Sequence, residues 1–147
     1  MRAIDSIRIR ELLGVMADAR RNLAQLADQS EAEFLADFRN TESAKYLLIV
    51  AIEAAINICN HLAARIGNRA PQNYADCFSV LAEAGMIESE LAGRLKRMAR
   101  FRNLLVHLYW EVENERVFEI LRTDIEDLDY FSRQIARWVS DSESSAS

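Results

Sequence analysis

The chain has 147 residues, enough for one domain that buries about two-thirds of the surface its unfolded form exposes, so no second domain is required. Half of the residues are hydrophobic and 28% are charged, while four glycines and one proline leave little material for sheet turns, so an all-α fold is expected. A formal net charge of -5 argues against a protein that coats nucleic acid by bulk charge, but it leaves room for a local basic patch.

The first segment, MRAIDSIRIRELLGVMADARR, interrupts its apolar residues with charges every few positions and lacks a signal-peptide core, which points to a cytoplasmic chain. Ile4, Ile7, Leu12, Val15, Ala19, Leu23 and Leu26 keep helical spacing over about 25 residues and predict a first helix. Ser30 with Glu33 three positions later is a capping-box pattern opening a short helix, in which Phe34, Leu35 and Phe38 form one apolar face. Several capping residues from Asn40 to Ser43 compete for the start of the next helix, which runs to about Ile66 before Gly67 and Pro71. Its stretch YLLIVAIEAAINICNHLAARI is nearly uncharged, but Glu53, Asn57, Asn60 and His61 would be costly in lipid, so it reads as a core helix rather than a membrane span.

Asn73 is placed to cap a helix that Gly85 stops, and a further helix is expected from near Glu88 to near His107. A last helix is predicted from about Asn114 to Val139, with Val117, Leu121, Leu128, Phe131, Ile135 and Trp138 inward. The domain is therefore set at residues 1–139, and 140–147, SDSESSAS, is expected to be a disordered tail. Cys59 and Cys77 lack metal-site spacing and read as reduced, half-buried fillers. No metal and no cofactor is expected. Together these elements predict an antiparallel helical bundle of about five helices.

The run FRNLLVHLYW, residues 101–110, places an Arg, an Asn, a His and a Tyr inside an apolar stretch, and the chain has only two histidines. At about 100° per residue, Leu91, Leu95, Met98, Phe101, Leu105 and Leu108 form an apolar stripe, and Lys96, Arg100, Asn103 and His107 form a polar one. Arg102 lies about 140° from His107, so one straight helix does not bring the two together; Tyr109, seven residues on, returns to the Arg102 side. Residues 94–102 hold Arg94, Lys96, Arg97, Arg100 and Arg102 with no acidic residue. One reading is a solvated cationic face with a His capping the helix C-terminus. The other is an anion or phosphodiester site where Arg neutralises charge and His moves protons. The polar stripe Glu53, Asn57, Asn60 and His61 is equally open: a satisfied core network, an active-site wall or a dimer contact.

At these residues the chain resembles the HEPN superfamily, specifically the HepT-like toxins, whose hallmark is Arg, four residues, His, one residue, Tyr. Arg102, NLLV, His107, Leu108 and Tyr109 complete that pattern, and the likeness extends over roughly residues 30 to 125, through FLADFRNTESAKYLLIVAIEAAINICNHLA and NYADCFSVLAEAGMIESELAGRLKRM. The resemblance implies a metal-independent endoribonuclease toxin, active as a homodimer and paired with an MntA-type nucleotidyltransferase antitoxin that silences it by transferring AMP to Tyr109. Arg102 and His107 would then be catalytic and Asn103 would orient His107. Lys96, Arg97 and Arg100 would contact RNA phosphates. A shared two-fold cleft would also remove the difficulty that Arg102 and His107 diverge within one helix. The rival from another class is a non-catalytic subunit that binds nucleotide or docks a nucleotidyltransferase, since Arg and His also hold phosphate without cutting it. A plain structural bundle would leave the full motif as coincidence.

Overall fold

Three short polar side chains set the first helix starts. The Asp5 carboxylate accepts from the Arg8 amide at 3.0 Å and opens α1 (Ser6–Ala27). Ser30 and Glu33 exchange the reciprocal bonds of the expected capping box at the head of α2 (Glu31–Ala36). Asp37, in an extended conformation, accepts from the Arg39 amide at 2.9 Å and starts α3 (Phe38–Ile66) earlier than the sequence placed it. Asn40 is thereby freed from capping, and its side chain donates to Gln29 and to the Glu33 and Phe34 carbonyls at the end of α2. Phe38 belongs to α3 and is 74% exposed, not part of an α2 apolar face.

A computed structural model describes residues 4–146 and carries four more helices: α4 (Asp76–Glu83), α5 (Ser89–His107), α6 (Asn114–Thr123) and α7 (Glu126–Ala146), with a 3-10 turn over Tyr109–Glu111. The domain is all-α, as the sequence predicts, with seven helices among the described residues where about five were expected. The expected last helix is two. It breaks at Asp124 and Ile125, where the Asp124 and Ile125 amides both return to the Ile120 carbonyl, and no Gly or Pro marks that break. The turn aims Asp127, 7% exposed, at Arg94, whose Nε donates to it at 2.8 Å. At the other end, α7 continues past Val139 to Ala146, so residues 140–146 are helical rather than disordered. Extending an established helix costs far less than nucleating one, and Glu143 pairs with Arg10 of α1. Ser147 lies outside the described residues.

Side-chain pairs fix the directions of the long helices. Asp5 meets His61, Arg102 meets Glu53, Arg20 meets Asp129, and Arg94 meets Asp127 while Glu88 meets Gln134. Taken with Arg10–Glu143 and Tyr109–Glu42, these contacts make α3 antiparallel to both α1 and α5, and α7 antiparallel to both as well. One core fills the bundle, with Phe78 edge-on to Phe131 and Phe34 tilted against Phe118. In α1 the inward row is Ile9, Leu12, Met16, Ala19 and Leu23, whereas Ile7 and Val15 face outward. Cys59 and Cys77 are free and fully buried, not half-buried. By length and composition α3 is apolar enough to cross a membrane, but its Leu48, Ile52, Ile58 and Leu62 are all buried in this core.

Two glycines serve the turns around α4. A side chain on Gly67 would collide with the Ala63 carbonyl oxygen and Val80, and Gly85 takes a positive φ of 78° to end the helix. Asn73 accepts from the Asp76 amide at 2.9 Å, as the sequence suggested.

His61 ties the bundle's end together by accepting the Asp5 amide on Nε2 at 3.0 Å, which only the unprotonated nitrogen can do. Burial first, then the Arg65 charge, lowers its pKa below the usual histidine value, while Asp5 opposes them. Below a pH of about 6.5 the unfolded chain therefore binds the proton more readily, so this contribution is full above that pH and is lost as pH falls through the folded-state value. The melting temperature should drop between pH 7.5 and 5.5, and His61→Gln, which keeps an acceptor, should flatten the slope. An unchanged slope in the variant would place the sensitivity elsewhere.

Candidate functional site

Helix α5 buries Leu91, Leu95, Met98, Phe101 and Leu105, which fixes its rotation and leaves Lys96, Arg100, Arg102 and Asn103 at the boundary with solvent or α3. Arg102 is held on two sides. Its Nε and Nη2 donate to Glu53 Oε1 of α3 at 3.1 and 2.5 Å, and Nη1 donates to Asn103 Oδ1 at 3.0 Å. The Tyr74 ring stands 5.8 Å from the guanidinium carbon, and a cavity of about 120 Å³ opens here between Glu53, Ile56, Asn57, Tyr74 and Arg102. With its side chain only 18% exposed and three N–H groups committed, the guanidinium is a fixed cation with part of its fork still free for an incoming anion.

Glu53 is thus the partner of the motif arginine, and the polar stripe on α3 divides: Glu53 joins Arg102, while His61 serves the α1 junction. The Asn103 carbonyl oxygen accepts from Arg102, and among the described residues no hydrogen bond joins Asn103 to His107. His107 is the last residue of α5 and is exposed, and among the described residues no hydrogen bond or ion pair joins it to Arg102 or Asn103. The divergence expected from helical spacing is therefore observed.

The basic run also divides. Lys96, Arg100 and Asn103 line a cavity of about 440 Å³ against the 72–76 segment, with Tyr74 as one wall. Arg97 is not part of it and lies instead beside Phe101 and Arg116 on another side of the helix. Asp76 of the larger cavity is neutralised by Arg69, whose paired hydrogen bonds hold its carboxyl down at about 2.

Tyr109 does not return to the Arg102 side. The helix stops at His107 because Leu108 takes φ -133° and ψ 45°, so the wheel no longer applies and the 3-10 turn swings the ring toward the start of α3. There the phenol donates to Glu42 Oε2, and the Lys45 ammonium, on a residue 5% exposed, sits 4.4 Å from the ring centroid. Burial, followed by the hydrogen bond to Glu42, pushes the phenol up to about 12. Glu42 and Glu53 are eleven residues apart on α3, so within one chain the two sites are separated by about 16 Å along the helix. Glu42, Lys45 and Tyr74 were missed from sequence, since one acidic, one basic and one aromatic residue among many carry no local signal. Among the described residues, no group of three or more His, Cys, Asp or Glu side chains is placed to hold a metal ion.

Residues 16–135 match the ribonuclease HepT-like family. The chain belongs to this family. It is 32% identical over 100 residues to the mRNA nuclease HepT of Shewanella oneidensis, spanning 68% of this chain and 75% of that one. Against the tRNA nuclease HepT of Aphanizomenon flos-aquae it is 25% identical over 125 residues, 85% and 83% of the two chains. The fold superposes on the tri-AMPylated Shewanella oneidensis HEPN toxin, solved in complex with its MNT antitoxin, with a TM-score of 0.81, 27% identity and coverage of 88% of this chain and 97% of that one. In the pattern that resembles the HepT-like hallmark, the arginine is the fixed Arg102, the histidine the exposed His107 and the tyrosine Tyr109.

Proposed function

We propose that this HepT-like chain is the endoribonuclease toxin of a cytoplasmic toxin–antitoxin pair, cutting RNA at a cleft shared by two copies and silenced by AMP transfer to Tyr109 from an MntA-type nucleotidyltransferase. The observation that carries the reading is the Arg102 guanidinium, held by Glu53 and Asn103 beside an open cavity, five residues before an exposed histidine. Cleavage requires the 2'-hydroxyl to lose a proton, the phosphorus centre to carry added negative charge and the 5'-oxygen to gain a proton. His107 moves the protons and Arg102 stabilises the charge.

One histidine per site supplies either a base or an acid. A two-fold pairing supplies both, because an isologous interface repeats every group about its axis. The surface that would pair runs along the outer stripe of α3, where Tyr46 is 66% exposed and Ile49 and Val50 are half-buried, and along the last turn of α5 and just beyond it, where Val106 and Trp110 are exposed. Glu53 and Arg102 lie within this stripe, so pairing there would bring two copies of the site together.

Purified protein should cleave RNA in excess chelator and leave 2',3'-cyclic phosphate and 5'-hydroxyl ends. Expression alone should arrest growth, and coexpression with the nucleotidyltransferase should restore it. Activity that needs added magnesium would overturn the mechanism. Harmless expression together with intact RNA would favour a non-catalytic docking subunit.

A further inference from the structure

Glu42 lies outside the Arg–His–Tyr motif and about three helical turns from the ribonuclease site, yet it is the group that touches the reacting atom of Tyr109. The hydroxyl donates to Glu42 Oε2, so the carboxylate already occupies the place a proton acceptor must take. Glu42 itself is exposed to solvent. Lys45, one helical turn further along α3, presents its ammonium to the ring face at 4.4 Å, where attraction grows as the ring gains negative charge. Glu42 and Lys45 are the charged groups the structure sets against Tyr109 from α3, and His107 and Glu111 flank it along the chain.

We propose that Glu42 is the general base for nucleotidyl transfer onto Tyr109, so that the acceptor protein supplies part of the machinery for its own modification. The inference rests on the reading of Tyr109 as the AMP acceptor. In the step, the phenolic oxygen attacks the α-phosphorus of ATP bound to the nucleotidyltransferase and forms the new oxygen–phosphorus bond. The bond from the α-phosphorus to the bridging oxygen breaks, and pyrophosphate leaves with that electron pair. The phenolic proton passes to Glu42 Oε2. Lys45 steadies the charge that gathers on the phenolic oxygen and ring. A phenol raised to about 12 is almost fully protonated near neutrality, which is the circumstance in which a local base has most effect.

The experiment measures AMP transfer by intact mass for wild type, Tyr109→Phe, Glu42→Gln and Glu42→Asp, each with ATP, magnesium and the partner nucleotidyltransferase. Glu42→Gln keeps an oxygen that can accept the hydroxyl but cannot hold its proton, and at an exposed position it should keep the fold, checked by circular dichroism. Its transfer rate should fall about 10²-fold at pH 7. It should then climb about tenfold per pH unit from 7 to 9, as hydroxide replaces the lost base, while wild type stays nearly flat. Glu42→Asp should recover part of the rate. A Glu42→Gln protein modified as fast as wild type, or faster, overturns the assignment while leaving Tyr109 as acceptor. Wild type that takes up no AMP, or Tyr109→Phe that takes it up equally, overturns the acceptor reading and this inference with it.

Discussion

Replacing His107 by alanine should reduce RNA cleavage by about 10³-fold without altering the helical circular dichroism, since proton transfer by a positioned group accounts for that order of rate. The side chain is exposed at the last position of α5 and packs into no core, so its loss leaves nothing buried without a partner. Arg102→Ala should cost a comparable factor through lost charge stabilisation, and Glu53, 41% exposed, can be satisfied by water in its absence. Arg102→Lys should not rescue, because a single ammonium cannot engage Glu53 and Asn103 while still offering a fork to phosphate. A dimer of one wild-type and one His107→Ala chain, isolated through two different tags, distinguishes a shared cleft from independent sites. If both histidines serve one cleavage, the mixed dimer should fall far below half of the wild-type rate. A rate close to half would mean that each chain carries a complete site.

Tyr109→Phe should leave a ribonuclease that its antitoxin cannot silence, so coexpression would no longer restore growth. The substitution keeps the ring over Lys45 and removes only the oxygen that donates to Glu42, so the fold has little to lose. Intact mass should show AMP on wild type and none on the variant, with cleavage lost only in the modified protein. The separation of about 16 Å between the Glu42 and Glu53 contacts on α3 bears on how silencing works. One AMP on Tyr109 would not lie against Arg102 of its own chain, so blocking must come from a longer AMP chain, from the two-fold mate or from bulk across the RNA path. If the variant is modified and inactivated as fast as wild type, Tyr109 is not the acceptor.

The helices were legible in the sequence because their causes are local. The Ser30–Glu33 box and Gly85 act within a few residues and appear where they were read, and apolar spacing placed the helices even though it turned Ile7 and Val15 of α1 inward where the structure exposes them. The divergence of Arg102 and His107 was equally determined, since it follows from five steps along one helix. Where the wheel was carried past His107 it failed, because Leu108 leaves helical geometry and no Gly or Pro announces it. The break at Asp124 is of the same kind: no Gly or Pro announces it, and it brings Asp127 to Arg94, 33 residues away along the chain. Helix α7 runs past Val139, where composition alone read a tail, and its last turns include Glu143 paired with Arg10 of α1. The partners that give the motif its chemistry were beyond reach for the same reason: Glu53 meets Arg102 across 49 residues and Glu42 meets Tyr109 across 67. Sequence determined which side chains the chain carries and which face of its own helix each takes. Only packing α3 antiparallel to α5 decided which of them meet, because contact between distant residues is set by the shared core rather than by spacing along the chain.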